Sequence, residues 1–417
     1  MYMRLVNGFF ADHNILLFMI YLFINAVLYC ITTVAYWKQR YKFDMYMLVM
    51  IVYSITAVLC LLYYSQNPNI RHDIQLFPFL YLFGVLCIFF SPVRGFDIEQ
   101  RNIVIGDNKA IYVLGVFFII IGAINITMSF QHTVELIQSG EWGALRNQLD
   151  EGAEGIEYYS SQSERIVKNL NSYLSPFAMV YAFYQLTRKK IRKIYTILLF
   201  MVIIGPGFMA ATVEASRGMI MHLAVKLGVV YMIFKNRIPA KRKRFIYSLS
   251  LLLLLGFLAY SIAVTISRFG DQDAGNSLFM YFGHSMIYFN DGVFNTLHDY
   301  AWGKRFFSWF IDLFGGNSYY NLESAGATHG TAFYTFVGGV FIDWGPVGTI
   351  IVALLAVLFI RKWFSKKNIF LSDTIMIAFY MATLLDGVFC FGSGRALAWV
   401  MTYVVFLIVK KLELRYV

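Results

Sequence analysis

Residues 241–266 read KRKRFIYSLSLLLLLGFLAYSIAVTI. Four consecutive cations, Lys241 to Arg244, give way to a run from Leu251 to Ile266 that holds no charge at all. A helix needs about 20 apolar residues to cross the hydrocarbon core of a bilayer. Short loops dense in Lys and Arg, next to such runs, are what orient a membrane protein. The same alternation recurs along the chain. Of 417 residues, 59% are apolar and 14% charged, where a soluble domain carries about 25% charged residues. The net charge of +11 lies mostly in those short loops, so it sets orientation and points to no nucleic-acid partner.

The expected fold is all-α: a polytopic transmembrane helical bundle, one membrane domain over residues 1–417. The apolar runs predict about eleven spans, at roughly 14–37, 45–65, 76–93, 111–130, 168–186, 195–215, 219–234, 245–266, 346–360, 369–387 and 394–409. The first run, from Asn14, is too long for the apolar part of a signal peptide and reads as a retained span. Cations, mostly in dense clusters, then fall on one side: Lys38 to Lys42, then Arg94, Arg101 and Lys109, then Arg188 to Lys193, Lys235 to Arg244, Arg361 to Lys367 and Lys410 to Arg415. The positive-inside rule places them in the cytoplasm, with the amino terminus outside and the carboxyl terminus inside. Two long segments, 131–167 and 267–345, face outward. The second is rich in aromatic and apolar residues, such as Leu278 to Phe294, and predicts interfacial or re-entrant helices. If 277–297 and 331–345 both crossed, the count would rise to about thirteen. No internal repeat of the transporter kind is visible.

The four cysteines, Cys30, Cys60, Cys87 and Cys390, form no close pair, so neither a disulfide framework nor a metal knot is expected. Asp271 and Asp273 form a lone Asp-x-Asp pair, too little to predict a metal site. The chain has no GxxxxGK[ST], HExxH or GxSxG, and so no motif for nucleotide hydrolysis, zinc proteolysis or serine hydrolysis.

Chemistry is sought among charges at the edges of apolar runs, because an arginine at a helix centre costs about 2.5–3.5 kcal/mol on insertion scales. Arg217 stands in Glu214-Ala215-Ser216-Arg217-Gly218, between two apolar runs with almost no loop. Arg268 follows Ser267 where the next run ends, at an expected depth equal to that of Arg217. Two outward guanidiniums at one depth suit a pyrophosphate, since each offers a planar fork of donors. Arg146 lies in the first outer segment. His329, in Thr328-His329-Gly330, stands at a loop-to-helix junction and titrates near neutrality, as a base should. Asp343, in Asp343-Trp344-Gly345-Pro346, precedes the ninth span and is either a helix cap or a substrate contact.

Taken in order, these elements resemble the bacterial O-antigen and capsule repeat-unit polymerases, and more distantly the O-antigen ligases. The resemblance lies in Ser216-Arg217-Gly218, Arg268, Thr328-His329-Gly330 followed by Gly345-Pro346-Val347-Gly348, and the plan of many spans with two enlarged outer segments. It implies a membrane glycosyltransferase of the GT-C-like kind in the bacterial inner membrane, with periplasmic outer segments. The implied reaction is an inverting transfer without metal or cofactor between two undecaprenyl-pyrophosphate-linked oligosaccharides, the donor and the acceptor. The implied catalytic residues are His329, Arg217 and Arg268, with Arg217, Arg268, Arg146 and Asp343 binding substrate. Membrane lipid and a chain-length regulator are the implied partners, and no nucleic acid. Ligation of finished polymer and transport of lipid-linked sugar are the competing readings.

Overall fold

A computed structural model describes residues 2–66, 73–104, 108–139, 162–213, 216–269, 283–327, 334–389 and 396–414. These residues are mostly helical. The helices are α1 (Tyr2–Arg40), α2 (Met45–Gln66), α3 (Leu76–Phe90), α4 (Lys109–Ser139), α5 (Gln162–Thr187), α6 (Lys193–Val213), α7 (Arg217–Phe234) and α8 (Ala240–Phe269). A helix over 283–288, α9, widens into a π turn at Phe289–Phe294. After it come α10 (Ser308–Leu313), α11 (Thr335–Phe364), α12 (Leu371–Asp386) and α13 (Ala396–Leu414). Two short strands, β1 (Asn102–Val104) and β2 (Asn368–Phe370), pair in parallel with Asn102 opposite Asn368.

Among the described residues, six stretches are long and apolar enough to cross a membrane: Ile15–Arg40, Met45–Gln66, Lys109–Glu135, Lys193–Val213, Ala240–Ile262 and Thr335–Phe364. Two shorter apolar helices cover Leu76–Phe90 and Gly218–Phe234. The chain is thus an all-α protein of membrane character. Leu251, Leu254, Leu255, Leu258 and Ile262 are exposed on α8, a surface that suits lipid and not water.

The chain forms two compact units. The first comprises Met1–Asp97, Gly275–Ser365 and Thr383–Trp399, and the second Ile98–Ala274, Lys366–Ala382 and Val400–Val417. In the second unit, α4 packs on α5 and α6. Gly115 and Gly122 of α4 lie under Tyr195 and Val202 of α6, the small residues letting two membrane helices approach closely. Loop ends are held by side chains. Arg242 Nη1 donates to the carbonyls of Leu186 (2.7 Å) and Arg188 (2.6 Å) at the end of α5. Glu413 accepts from the amides of Leu371 (2.8 Å) and Ser372 (3.3 Å) and so caps α12 from α13.

In the first unit, α1 and α2 form a hairpin, with Asp44 accepting from Met47 N (2.8 Å) at the start of α2. Asn290 of the π turn brackets Gln75 through its amide nitrogen (3.0 Å) and carbonyl (2.6 Å), tying that turn to the start of α3. The decisive element is α11. Phe336 meets Phe89 of α3 at 4.8 Å between ring centroids, and Phe341 meets Tyr81 at 6.0 Å. The Tyr81 hydroxyl then donates to Pro346 O at 2.6 Å. Beyond that point the direction reverses, because Phe364 meets Phe96, past the far end of α3, at 4.7 Å. The reversal sits at Gly345, whose φ of 63° and ψ of −171° are non-helical and essentially closed to residues other than glycine. Pro346 follows at once, where a helix start accepts it best. The first arm, 335–344, is about 15 Å long and the second, from Pro346, about 28 Å. Only the second matches a hydrocarbon core of about 30 Å.

Candidate functional site

The polar centre of the first unit is built on the end of that first arm. Asp343 is 1% exposed. Its carboxylate accepts from Arg305 N at 3.1 Å, with the amides of Gly303 and Phe306 close by. The loop can aim its backbone this way because Trp302 (φ 50°) and Gly303 (φ 84°) are left-handed, a turn that makes a concave nest for an anion. Ala301 N donates to Ile342 O (2.9 Å) and fixes the loop alongside the helix end. Tyr300 lies flat beneath Gly345, where an added Cβ would stand 2.9 Å from its ring.

The anchored loop presents Arg305. Its Nη2 donates to the hydroxyl of Tyr334, and the guanidinium carbon lies 5.5 Å from the centroid of that ring. Tyr334 is itself buried. Nη1 of Arg305 is buried and has no hydrogen-bond partner. No carboxylate among the described residues lies within ion-pair distance of the guanidinium; Asp343, the nearby acid, is bonded to the loop's backbone instead. Tyr320 stands at the edge of the centre and donates to Asp299 O at 2.7 Å. Burial pushes its phenol up to about 12; the charge of Asp299 adds to the rise, and Arg305 opposes it.

The expected residues fall as follows. Asp343 is at the heart of this centre, turned inward onto amides. His329 and Arg146 lie outside the described residues. Arg217 is the first residue of α7 and Arg268 the penultimate residue of α8, and nothing is described of their side chains. Their helices form a hairpin whose register is marked by the Tyr231 and Tyr247 hydroxyls, 2.6 Å apart. From those markers Arg217 lies about 21 Å up one helix and Arg268 about 32 Å up the other, at 1.5 Å per residue. The two backbone positions are therefore offset by about 10 Å along the hairpin and do not share one level. Among the described residues, no group of three His, Cys, Asp or Glu is placed to hold a metal.

Sequence reasoning passed over Arg305. In Trp302-Gly303-Lys304-Arg305 it reads as half of a solvated basic pair. The one available signal was the Trp-Gly step before it, a turn in an otherwise apolar segment. Comparison with protein-family models, with curated proteins and with solved structures finds no match to this chain.

Proposed function

We propose that the protein is a membrane glycosyltransferase that joins lipid-pyrophosphate-linked oligosaccharide repeat units on the non-cytoplasmic face of the inner membrane. The acceptor sugar's hydroxyl oxygen bonds to the donor's anomeric carbon. The bond from that carbon to the pyrophosphate oxygen breaks, and the lipid pyrophosphate leaves with its electron pair. His329 takes the hydroxyl proton, a role worth about 10²–10⁴-fold when the base is well placed. Arg217 and Arg268 face the charge growing on the leaving group, where fixed cations act most strongly in a dry site. Arg146 meets phosphate or sugar from the first outer segment. The offset of about 10 Å between the arginines along their hairpin suits an extended donor, one residue serving the pyrophosphate and the other its approach.

The observation that supports this reading best is the centre at Arg305 and Asp343. The chain leaves His329 and within a few residues reaches Tyr334, which holds the Arg305 guanidinium. Tyr334, the partner of the cation with an open donor, thus follows the proposed base by five residues in the sequence. The test is reconstitution of the purified chain with a synthetic pyrophosphate-linked repeat unit. A ladder of products is expected, reduced to single units in His329→Gln. Transfer of preformed polymer to another acceptor without a ladder would make it a ligase, and no transfer at all would remove the reading.

A further inference from the structure

Arg305 is a charged group left incomplete by its own protein. One arm of its fork is used by the Tyr334 hydroxyl, and its charge lies against that ring. The other arm, Nη1, is buried without a partner. Leaving a buried donor unmade costs the full desolvation of the group, and the charge of Asp343, which acts on Arg305 through space, does not supply that hydrogen bond. The loop that holds it is seated by the bond from Arg305 N to the buried Asp343 and by the bond from Ala301 N to Ile342 O. Asp343 thereby fixes the backbone of Arg305 by a hydrogen bond and meets the guanidinium through charge alone. Lys304, exposed beside it, adds a second positive charge. A guanidinium with one free, buried donor in a positive, preorganised loop is the geometry that answers an oxygen of a phosphate group.

We propose that Arg305 is a phosphate-binding residue, and that Asp343 is its positioning residue, acting through the backbone of 303–306. The ligand is a phosphate or pyrophosphate group, free or on a lipid. The assignment rests on the glycosyl-transfer reading only for which pyrophosphate binds there in the cell, and its test is binding without turnover. The purified full chain is placed in phosphatidylcholine nanodiscs and titrated calorimetrically with inorganic pyrophosphate. The titration is repeated in discs containing phosphatidic acid, whose headgroup is a phosphate monoester. Binding in the first discs that survives in the second marks the free ion as the ligand, and binding displaced by phosphatidic acid marks a lipid headgroup. Arg305→Gln is expected to weaken pyrophosphate binding about 10- to 100-fold, the worth of a charge-assisted hydrogen bond. Arg305→Lys keeps the charge, loses the fork and falls between; it decides the matter if the glutamine variant does not fold. Asp343→Asn is expected to weaken binding as well, and to add nothing to the loss in Arg305→Gln, because the two act as one unit. A merely structural Asp343 would give additive losses. Wild-type affinity in both arginine variants, or no binding of either probe to the wild-type chain, overturns the proposal. A missing product ladder with normal pyrophosphate binding would instead count against glycosyl transfer alone.

Discussion

Asp343 and Arg305 are neighbours that form no side-chain hydrogen bond to each other. The carboxylate takes the amide of Arg305, and the guanidinium takes the Tyr334 hydroxyl. The acid holds the loop while one arm of the guanidinium is left to be offered. Removing the acid should be expensive. Asp343→Ala leaves the Arg305 amide without its acceptor, so a loss of about 1–3 kcal/mol is expected, read as a lower unfolding temperature of the purified chain. Asp343→Asn retains one acceptor oxygen and should lose about half as much. Tyr320 gives a pH signature. Its folded pKa of about 12 lies above the usual tyrosine value of about 10. The folded state therefore holds the proton more tightly, so this contribution is complete below about pH 10 and is lost as pH rises toward 12. Tyr320→Phe should flatten the stability profile in that window, and phenolate absorbance should show one fewer high-pH tyrosine. An unchanged profile would mean that Tyr320 ionises as freely in the folded chain as in the unfolded one.

At the level of elements, the break at Gly345 does what no other residue there could. Its backbone lies in a glycine-only region and Tyr300 fills the space a side chain would need. Gly345→Ala should cost about 1–3 kcal/mol from the backbone alone, and should loosen the Tyr300 to Arg305 loop, raising its hydrogen exchange while α4 to α6 stay protected. Glu413→Ala removes the cap on α12 and should cost about 1 kcal/mol, measured by the same unfolding series. The helical, apolar character of the chain was legible because uncharged runs alternate with cation clusters, and six stretches among the described residues are long and apolar enough to cross a membrane. The fold-back was not. Asp343-Trp344-Gly345-Pro346 reads equally as a cap before a new helix or as close helix packing. Only the contacts of Phe336, Tyr81 and Phe364 with and around α3 show the chain turning back. Arg305 was hidden for a similar reason. Its partners, Tyr334 and Asp343, lie far along the sequence, and neither apolar periodicity nor motif spacing reports a backbone nest meeting a distant carboxylate.

For the whole chain, the question is which way it lies in the membrane. Not every cation in the dense loops is free to signal orientation. Arg237 and Arg242 are spent on carbonyls, at 2.6 Å to Arg101 O and 2.7 Å to Leu186 O. Lys189, Lys190, Arg192, Lys193, Lys241 and Arg244 remain exposed, the cations that the positive-inside rule expects to face the cytoplasm. Trp302, Trp309, Phe314 and Tyr319 are exposed as well, amphipathic or apolar rings of the kind that settle at a membrane interface. The expected topology makes a sharp prediction for single added cysteines at Lys190, Tyr319 and Lys367, tested in intact cells with a membrane-impermeant maleimide. Tyr319→Cys should label directly. Lys190→Cys and Lys367→Cys should label only after the membrane is opened. Lys367 decides between topologies, because it follows the second arm of α11. If 335–364 enters by one short arm and leaves by one full span, the chain between Tyr319 and Lys367 crosses once and the two sites label from opposite sides. If both arms crossed fully, the two sites would label from the same side, and the half-length first arm would have to be discarded along with the count of about eleven spans.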